Sequence, residues 1–145
     1  VYFSQRQVIE AYGPYGSQLP ENYHVELEEN AHFIEVTIRH EDIVDAILLK
    51  TNVSQEPEHI GGKAMIKLRD GEYLTKISGL YGNYSQQKNE VFVSTITIHT
   101  NFNPAGYGPY GTGKGVTNVQ SFSSPNISDG PIVGFFGRSG NYIES

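Results

Sequence analysis

Apolar and polar residues alternate with a period of two along much of this chain, and that pattern constrains its fold more than any other feature. Residues 32–39 place Ile34, Val36 and Ile38 on one face of an extended segment. Residues 42–49 are the nearest candidate for a helix, but they are few and rich in β-branched side chains, which disfavour helices. Two further segments alternate in the same way. The first has Ala64, Ile66 and Leu68 on one face. The second has Phe92, Ile96 and Ile98 on one face and Val93, Thr95 and Thr97 on the other. The pattern predicts half-buried antiparallel strands and an all-β fold.

Turns that contain glycine and proline separate these segments at intervals of roughly 8 to 12 residues, as in sandwiches, barrels and prisms. Asp70 and Gly71 lie between two alternating segments and predict a β-hairpin. The sequence YGPYG at residues 12–16 recurs at residues 107–111, with a looser copy at residues 81–84. This repeat indicates one supersecondary unit used more than once, and independent use of similar turns is the alternative. No linker divides the 145 residues, so we expect a single domain over residues 1–145.

Composition and motifs argue against several classes of function. The net charge of −6 makes nucleic acid an unsuitable partner, because phosphate binding needs a basic face. No apolar run is long enough to span a membrane. There is no cysteine, and no Gly-x-Ser-x-Gly, His-Glu-x-x-His or phosphate-loop motif occurs, so we expect no enzyme. The five histidines are dispersed and no Asp-x-Asp-x-Asp loop occurs, so we expect no metal site and no other cofactor.

Four segments resemble the jacalin-related lectin family, in family order and over nearly the whole chain. They are VIEAYGPYG at residues 8–16, HIGG at 59–62 with IKLRDGEYL at 66–74, TIHTN at 97–101 with YGPYG at 107–111, and IVGFFGRSGNYI at 132–143. The resemblance implies a β-prism I fold with three four-stranded Greek-key sheets and pseudo-threefold symmetry. It also implies a lectin that binds mannose/glucose-type or related glycans without metal and without catalysis. A structural or matrix protein with weak calcium or mineral binding is the alternative.

The resemblance places a first sugar site at residues 140–144. It implies that the N–H groups of Asn141 and Tyr142 face the sugar, that Gly140 lets the backbone approach the ligand, and that Glu144 accepts sugar hydroxyls. Gly16 would contribute from the opening turn. A carboxylate and neighbouring N–H groups suit a sugar, whose hydroxyls both donate and accept hydrogen bonds. An ordinary hairpin turn is the alternative.

This first site departs from the family pattern at two positions. Glu144 stands where the family has Asp, and its extra methylene moves the carboxylate by roughly 1.5 Å, the length of a C–C bond. Pro20 replaces a residue of the glycine-rich opening turn and has no N–H to donate. The sugar preference is therefore not expected to copy that of mannose-specific relatives.

A second candidate site comprises the loop at residues 41–45 and the diglycine at residues 61–62. By resemblance, Asp42 and Ile43 would supply backbone donors, Asp45 the acid, and Gly62 part of the wall. Glu41 departs from the family, which has glycine there. A solvated acidic turn is the alternative.

The ends of the chain and its setting give further expectations. Residues 1–4 alternate like a strand. Since relatives continue past the acid of the first site for another strand, we expect residues 1–4 to fill the edge that this strand would otherwise cover. Three N-glycosylation sequons, at Asn52, Asn83 and Asn126, are compatible with secretion. We expect a secreted protein, and a cytoplasmic location is the alternative. The expected partners are glycans and glycoproteins, and the expected assembly is a homodimer or a higher homo-oligomer.

Overall fold

The computed structural model describes residues 1–5, 8–28, 30–53, 63–125 and 131–145. Within them the chain forms eleven β-strands, one 3-10 turn at Ser85–Gln87, and no α-helix. The strands are β1 (Tyr2–Gln5), β2 (Val8–Ala11), β3 (Tyr23–Glu26), β4 (Phe33–His40), β5 (Val44–Thr51), β6 (Lys63–Lys67), β7 (Leu74–Tyr84), β8 (Glu90–Thr100), β9 (Tyr107–Tyr110), β10 (Val116–Ser123) and β11 (Ile132–Gly137). The prediction of an all-β chain is confirmed, and residues 44–49 of the helix candidate lie in β5.

The strands form three antiparallel sheets. Sheet A has the order β2-β1-β11-β3, sheet B the order β5-β4-β6, and sheet C the order β10-β7-β8-β9. Sheet B therefore has three strands within the described residues, where the resemblance implied four. In sheet B the side chain of Ile66 is buried while Met65 and Lys67 are exposed, as their alternation predicts. Val36 and Ile38 are buried too, but so are Glu35 and Thr37 on the opposite face of β4, so this central strand is covered on both faces.

One hydrophobic core joins the three sheets. Its fully buried members include Val36 and Ile38 of sheet B, Ile98 of sheet C and Ile132 of sheet A, each at most 1% exposed. Aromatic side chains from the loops, such as Tyr15, pack around this core. A shared core means that each sheet buries its apolar face against the other two.

Residues 1–4 cover a strand edge, as expected. Tyr2–Gln5 form β1, which pairs with the last strand, β11, on one side and with β2 on the other. The strand therefore covers the side of β11 that faces away from β3. Both neighbours of β1 are antiparallel to it, so its backbone groups are used on both sides.

The predicted hairpin at Asp70 and Gly71 is wrong. The turn itself exists, with the Glu72 N–H donating to the Arg69 carbonyl at 2.9 Å and Gly71 at φ +79. However, β6 before it pairs with β4, and β7 after it pairs with β8 and β10. The turn links two sheets, because turn residues fix only a local change of direction and not the partner of the next strand.

The predicted face of Phe92 is also wrong. Leu80 pairs with Thr95 but Tyr81 pairs with Val93, so Ser94 is an extra residue in β8. This β-bulge reverses the alternation before it. Val93 therefore joins Ile96 and Ile98 in the main core, while Phe92 turns to the opposite side and packs in a second, smaller cluster.

The repeated sequence YGPYG has the same backbone in both copies. Gly13 and Gly108 have φ +109 and +111, and Gly16 and Gly111 have φ +114 and +104. In each copy the last glycine lies against a carbonyl of another segment, that of Glu144 for Gly16 and that of Ser94 for Gly111. The shared conformation and shared packing favour one structural unit used twice over independent turns.

Candidate functional site

The loop that follows β11 turns back on itself at residues 139–143. Ser139 and Ile143 form an isolated antiparallel bridge, and the Gly140 N–H donates to the Tyr142 carbonyl at 3.0 Å. Ile143 then anchors the loop, since its N–H donates to Val44 and its carbonyl accepts from Val93, both at 2.9 Å. The loop is thereby fixed to sheets B and C as well as to its own sheet A.

The N–H groups of Asn141 and Tyr142 are unused by this network. Neither donates to an acceptor within the described part of the chain. Asn141 is exposed and Tyr142 is half-buried. Two neighbouring N–H groups at the protein surface are thus available to a ligand oxygen.

Gly140 has space where a side chain would be. A Cβ atom built on it meets no heavy atom within 4 Å, and its backbone lies outside the left-handed region that favours glycine. The local fold therefore does not require glycine at this position. The missing side chain leaves the backbone of the loop open to a molecule that approaches from outside.

The carboxylate of Glu144 lies against Arg138. The Arg138 Nε atom is 3.2 Å from Glu144 Oε2, and the Glu144 side chain is only 14% exposed. Arg138 also donates from Nη1 to the Pro20 carbonyl at 3.0 Å. The turn at Pro20 therefore contacts this region through a carbonyl oxygen, since proline has no N–H to donate. One carboxylate oxygen of Glu144 is held by a cation, and the other has no hydrogen bond within the described residues.

Gly16 lies directly beside Glu144. The Ser17 N–H donates to the Glu144 carbonyl at 2.9 Å, and a Cβ on Gly16 would be 2.6 Å from that oxygen. Gly16 also has φ +114. Glycine suits this position because it has no Cβ to clash with the carbonyl and because it readily adopts a positive φ. The structure thus brings Gly16 and residues 140–144 together, as the sequence predicts.

The ring of Tyr142 packs at the edge of two other aromatic rings. Its centroid is 6.4 Å from that of Tyr84 and 5.7 Å from that of Phe92, with interplanar angles of 78° and 84°. Ile43, which is 1% exposed, belongs to the same cluster. These contacts fix the ring and leave only part of it available for stacking on a sugar.

The second candidate loop, residues 41–45, joins the same aromatic cluster through Ile43. The Asp42 carbonyl accepts from the Gly113 N–H at 2.7 Å, and the Asp42 carboxylate accepts from the Thr112 hydroxyl at 3.1 Å. The N–H groups of Asp42 and Ile43 have no acceptor within the described residues, in keeping with their expected role as donors. Gly61 and Gly62, the other half of this predicted site, lie outside the described residues.

Asp45 is half-buried and has a raised pKa. Burial is the main cause, and the neighbouring carboxylates of Glu41 and Asp42 raise the pKa further, whereas Arg39 and His40 oppose the shift. No hydrogen bond from the described chain reaches the Asp45 side chain. Its oxygens are therefore available as acceptors for a ligand.

Several residues of this region were missed from sequence. Arg138 holds Glu144, Phe92 supports Tyr142, and Arg39 and Ala46 line a groove beside the loop together with Asp45, Gly140, Asn141 and Tyr142. The Arg-Ser-Gly run before the loop could have drawn attention to Arg138. The position of Phe92 depends on a bulge, and no sequence signal marks it.

Comparison with known proteins identifies the family of the chain. The model of the jacalin-like lectin domain matches residues 8–145. The chain belongs to the jacalin-like lectin family. The jacalin-related lectin Calsepa of Calystegia sepium is 43% identical over 89 residues, which is 61% of this chain and 52% of that protein. A mannose/glucose-specific lectin of Parkia pendula is 37% identical over 90 residues, which is 61% of this chain and 19% of that protein.

A solved structure agrees with this assignment. The crystal structure of Calystegia sepium agglutinin superimposes with a TM-score of 0.67 and 28% identity, over 92% of this chain and 90% of that one. The fold of this jacalin-like lectin is thus the expected β-prism I. Its relatives are lectins, which supports a binding protein and not an enzyme, and nothing in the comparisons supports a calcium-binding matrix protein.

The described residues provide neither a cluster of metal ligands nor a membrane-spanning helix. Among the described residues, no three His, Cys, Asp or Glu side chains converge to hold a metal ion. In the same part of the chain no helix is long and apolar enough to cross a membrane.

Proposed function

We propose that this jacalin-like lectin domain binds glycans of the mannose/glucose type or a related type through the loop at residues 140–144. The unused N–H groups of Asn141 and Tyr142 donate to sugar oxygens, and the free oxygen of Glu144 accepts a hydroxyl. Gly16 forms the neighbouring wall. The observation that carries the proposal is the open space at Gly140 beside two unused N–H groups, because the fold itself gives no reason for a glycine there.

The proposal includes the second loop as a further contact region. Asp42 and Ile43 would supply N–H donors and Asp45 an acceptor, and the resemblance to the family adds Gly62 to this region. The name of the Parkia pendula protein, a mannose/glucose-specific lectin, supports this sugar class. Glu144 in place of Asp, and the hydrogen bond from the Arg138 guanidinium to the Pro20 carbonyl, give a reason to expect a shifted preference within this sugar class.

The proposal is tested by replacing Gly140 with valine. Gly140→Val should leave the thermal unfolding midpoint unchanged, since nothing lies within 4 Å of the new Cβ. It should also reduce glycan binding at least tenfold, because the side chain would occupy the ligand's space. Glu144→Ala and Asp45→Ala, tested in parallel on a glycan array and by calorimetry, should each weaken binding through the loss of an acceptor.

Asp70→Ala is the matched control for these acid replacements. Asp70 is an exposed acid in the turn before β7, whereas Tyr84, which contacts Tyr142, is the last residue of that strand. The two therefore lie at opposite ends of an eleven-residue strand. Asp70→Ala should bind like the unmodified chain. Full binding by Gly140→Val would overturn the site, and no binding of any glycan by the unmodified chain would overturn the function.

The proposed partners are glycoproteins as well as free glycans, and the proposed assembly is a homodimer or higher homo-oligomer. A single domain of this kind holds few sugar contacts, and assembly multiplies them through avidity. Secretion is part of the same proposal, since the sequons at Asn52, Asn83 and Asn126 permit it. Sedimentation equilibrium would measure the oligomeric state directly.

A further inference from the structure

A polar groove runs beside the loop at residues 140–144, and its walls come from two sheets. One wall is the loop after β11, with Gly140, Asn141 and Tyr142. The other wall is the β4–β5 pair of sheet B, with Arg39, Asp45 and Ala46. The hydrogen bond from Ile143 to Val44 at 2.9 Å ties the two walls together, so the groove is a built feature of the fold.

A β-bulge makes the sheet B wall. Arg39 pairs with Ala46 but His40 pairs with Val44, so Asp45 is an extra residue in β5. Val44 and Ile47 both pack into the core, and the two residues between them both line the groove. A regular strand would turn only one of two successive side chains to this side.

The groove carries donors and acceptors that the fold leaves unused. The side chains of Arg39 and Asp45 are half-buried, and within the described chain neither forms a hydrogen bond or an ion pair. Arg39 offers several N–H donors in one plane and Asp45 offers two acceptor oxygens. These two side chains suit the vicinal hydroxyls of a second sugar ring, while the N–H groups of Asn141 and Tyr142 serve the first.

Charge selects a neutral sugar for this groove. Asp45 lies within electrostatic reach of Glu41 and Asp42, and Arg39 and His40 oppose them. The three carboxylates of Glu41, Asp42 and Asp45 outnumber the two basic residues that oppose them, so a uronic or sialic acid would be repelled. A neutral hexose avoids that repulsion and can still use every donor and acceptor.

We propose that this groove is an extension subsite that holds the second residue of a neutral oligosaccharide whose first residue binds the 140–144 loop. The inference rests on the proposed function and makes it more specific. The two candidate regions found from sequence are then parts of one binding surface that takes a single oligosaccharide. Two separate pockets would instead take two independent monosaccharides.

Calorimetry with matched sugars tests the inference. The probes are mannose with α-linked mannobiose, and glucose with maltose. For the preferred pair, the disaccharide should bind about tenfold more tightly than the monosaccharide, as expected for added hydrogen bonds to charged groups, with one disaccharide per chain. Ala46→Leu, which fills the groove, should reduce this affinity ratio to about one, and Arg39→Gln should reduce it by removing donors.

The outcomes separate the inference from the proposed function. Asp70→Asn, in the turn before β7, should keep the full ratio, and thermal unfolding will show which variants are folded. If the monosaccharide binds but the disaccharide gains nothing, or if two monosaccharides bind per chain, the extension subsite is overturned while sugar binding stands. If none of the four sugars binds, and no glycan on an array does so either, the proposed function itself is overturned.

Discussion

At the scale of single residues, Glu72 is the buried acid on which the end of sheet C depends. Its carboxylate accepts from the Thr100 hydroxyl at 2.6 Å, the Tyr107 hydroxyl at 2.8 Å and the Arg69 N–H at 2.9 Å. Burial raises the pKa of Glu72, but the hydrogen bonds from Thr100, Arg69 and Tyr107 outweigh it, so the pKa is lowered. A carboxyl group with a lowered pKa stabilises the fold above its unfolded-state pKa and loses that contribution as the pH falls through its folded-state pKa.

Glu72→Gln should therefore lower the free energy of unfolding by about 1–3 kcal/mol at neutral pH, because charge-assisted hydrogen bonds are lost. The difference from the unmodified chain should shrink on acidification, as the natural carboxyl group becomes protonated too. Urea unfolding followed by tyrosine fluorescence at a series of pH values measures both effects. Asp70→Asn, an exposed acid two residues away, should change little. A difference that stays constant down to acidic pH would contradict the role assigned to the charge.

At the scale of elements, the sequence predicts the strands better than their partners. Alternation correctly places Ile66 and Ile98 in the core, since side chains in a regular strand alternate between two faces. It fails at Phe92 because Ser94 is an extra residue, and one extra residue exchanges the faces of everything before it. The same effect hides the groove, since Asp45 is a bulge residue. Family resemblance locates the proposed site loop, but the Arg138–Pro20 hydrogen bond and the place of Arg39 beside the loop depend on packing between segments that are far apart in sequence.

The bulge residue Ser94 in β8 packs so closely against the turn after β9 that Gly111 should not tolerate a side chain. A Cβ on Gly111 would be 2.2 Å from the Ser94 carbonyl oxygen, whereas a Cβ on Gly113 meets nothing within 4 Å. Both glycines have positive φ, +104 and +74, so both alanine variants carry the cost of a left-handed backbone, about 1–2 kcal/mol. Only Gly111→Ala adds a backbone clash, which should cost about 1–3 kcal/mol more. Equal unfolding midpoints for the two variants would show that the bulge yields to the new side chain.

At the scale of the whole molecule, the site depends on contacts between sheets. The 140–144 loop follows a strand of sheet A, and its Ile143 carbonyl accepts a hydrogen bond from Val93 of sheet C. The loop lies across a groove from Asp45 of sheet B. The core joins the same three sheets through Val36, Ile98 and Ile132. No sheet can therefore detach without exposing the apolar faces of the other two, and the proposed binding surface exists only in the fully packed molecule.

This arrangement predicts a single cooperative unfolding transition. The far-ultraviolet circular dichroism of the strands and the fluorescence of the ten tyrosines, several of which border the site, should change together in urea, as two-state unfolding requires. Ile98→Val, at a position with no solvent exposure, should lower the free energy of unfolding by about 0.5–1.5 kcal/mol. It should shift both curves equally, because the removed methylene contacts a core that all three sheets share. If the tyrosine signal were lost before the strand signal, the site-bearing loops would be able to detach from an intact prism, and the coupling between core and site would be absent.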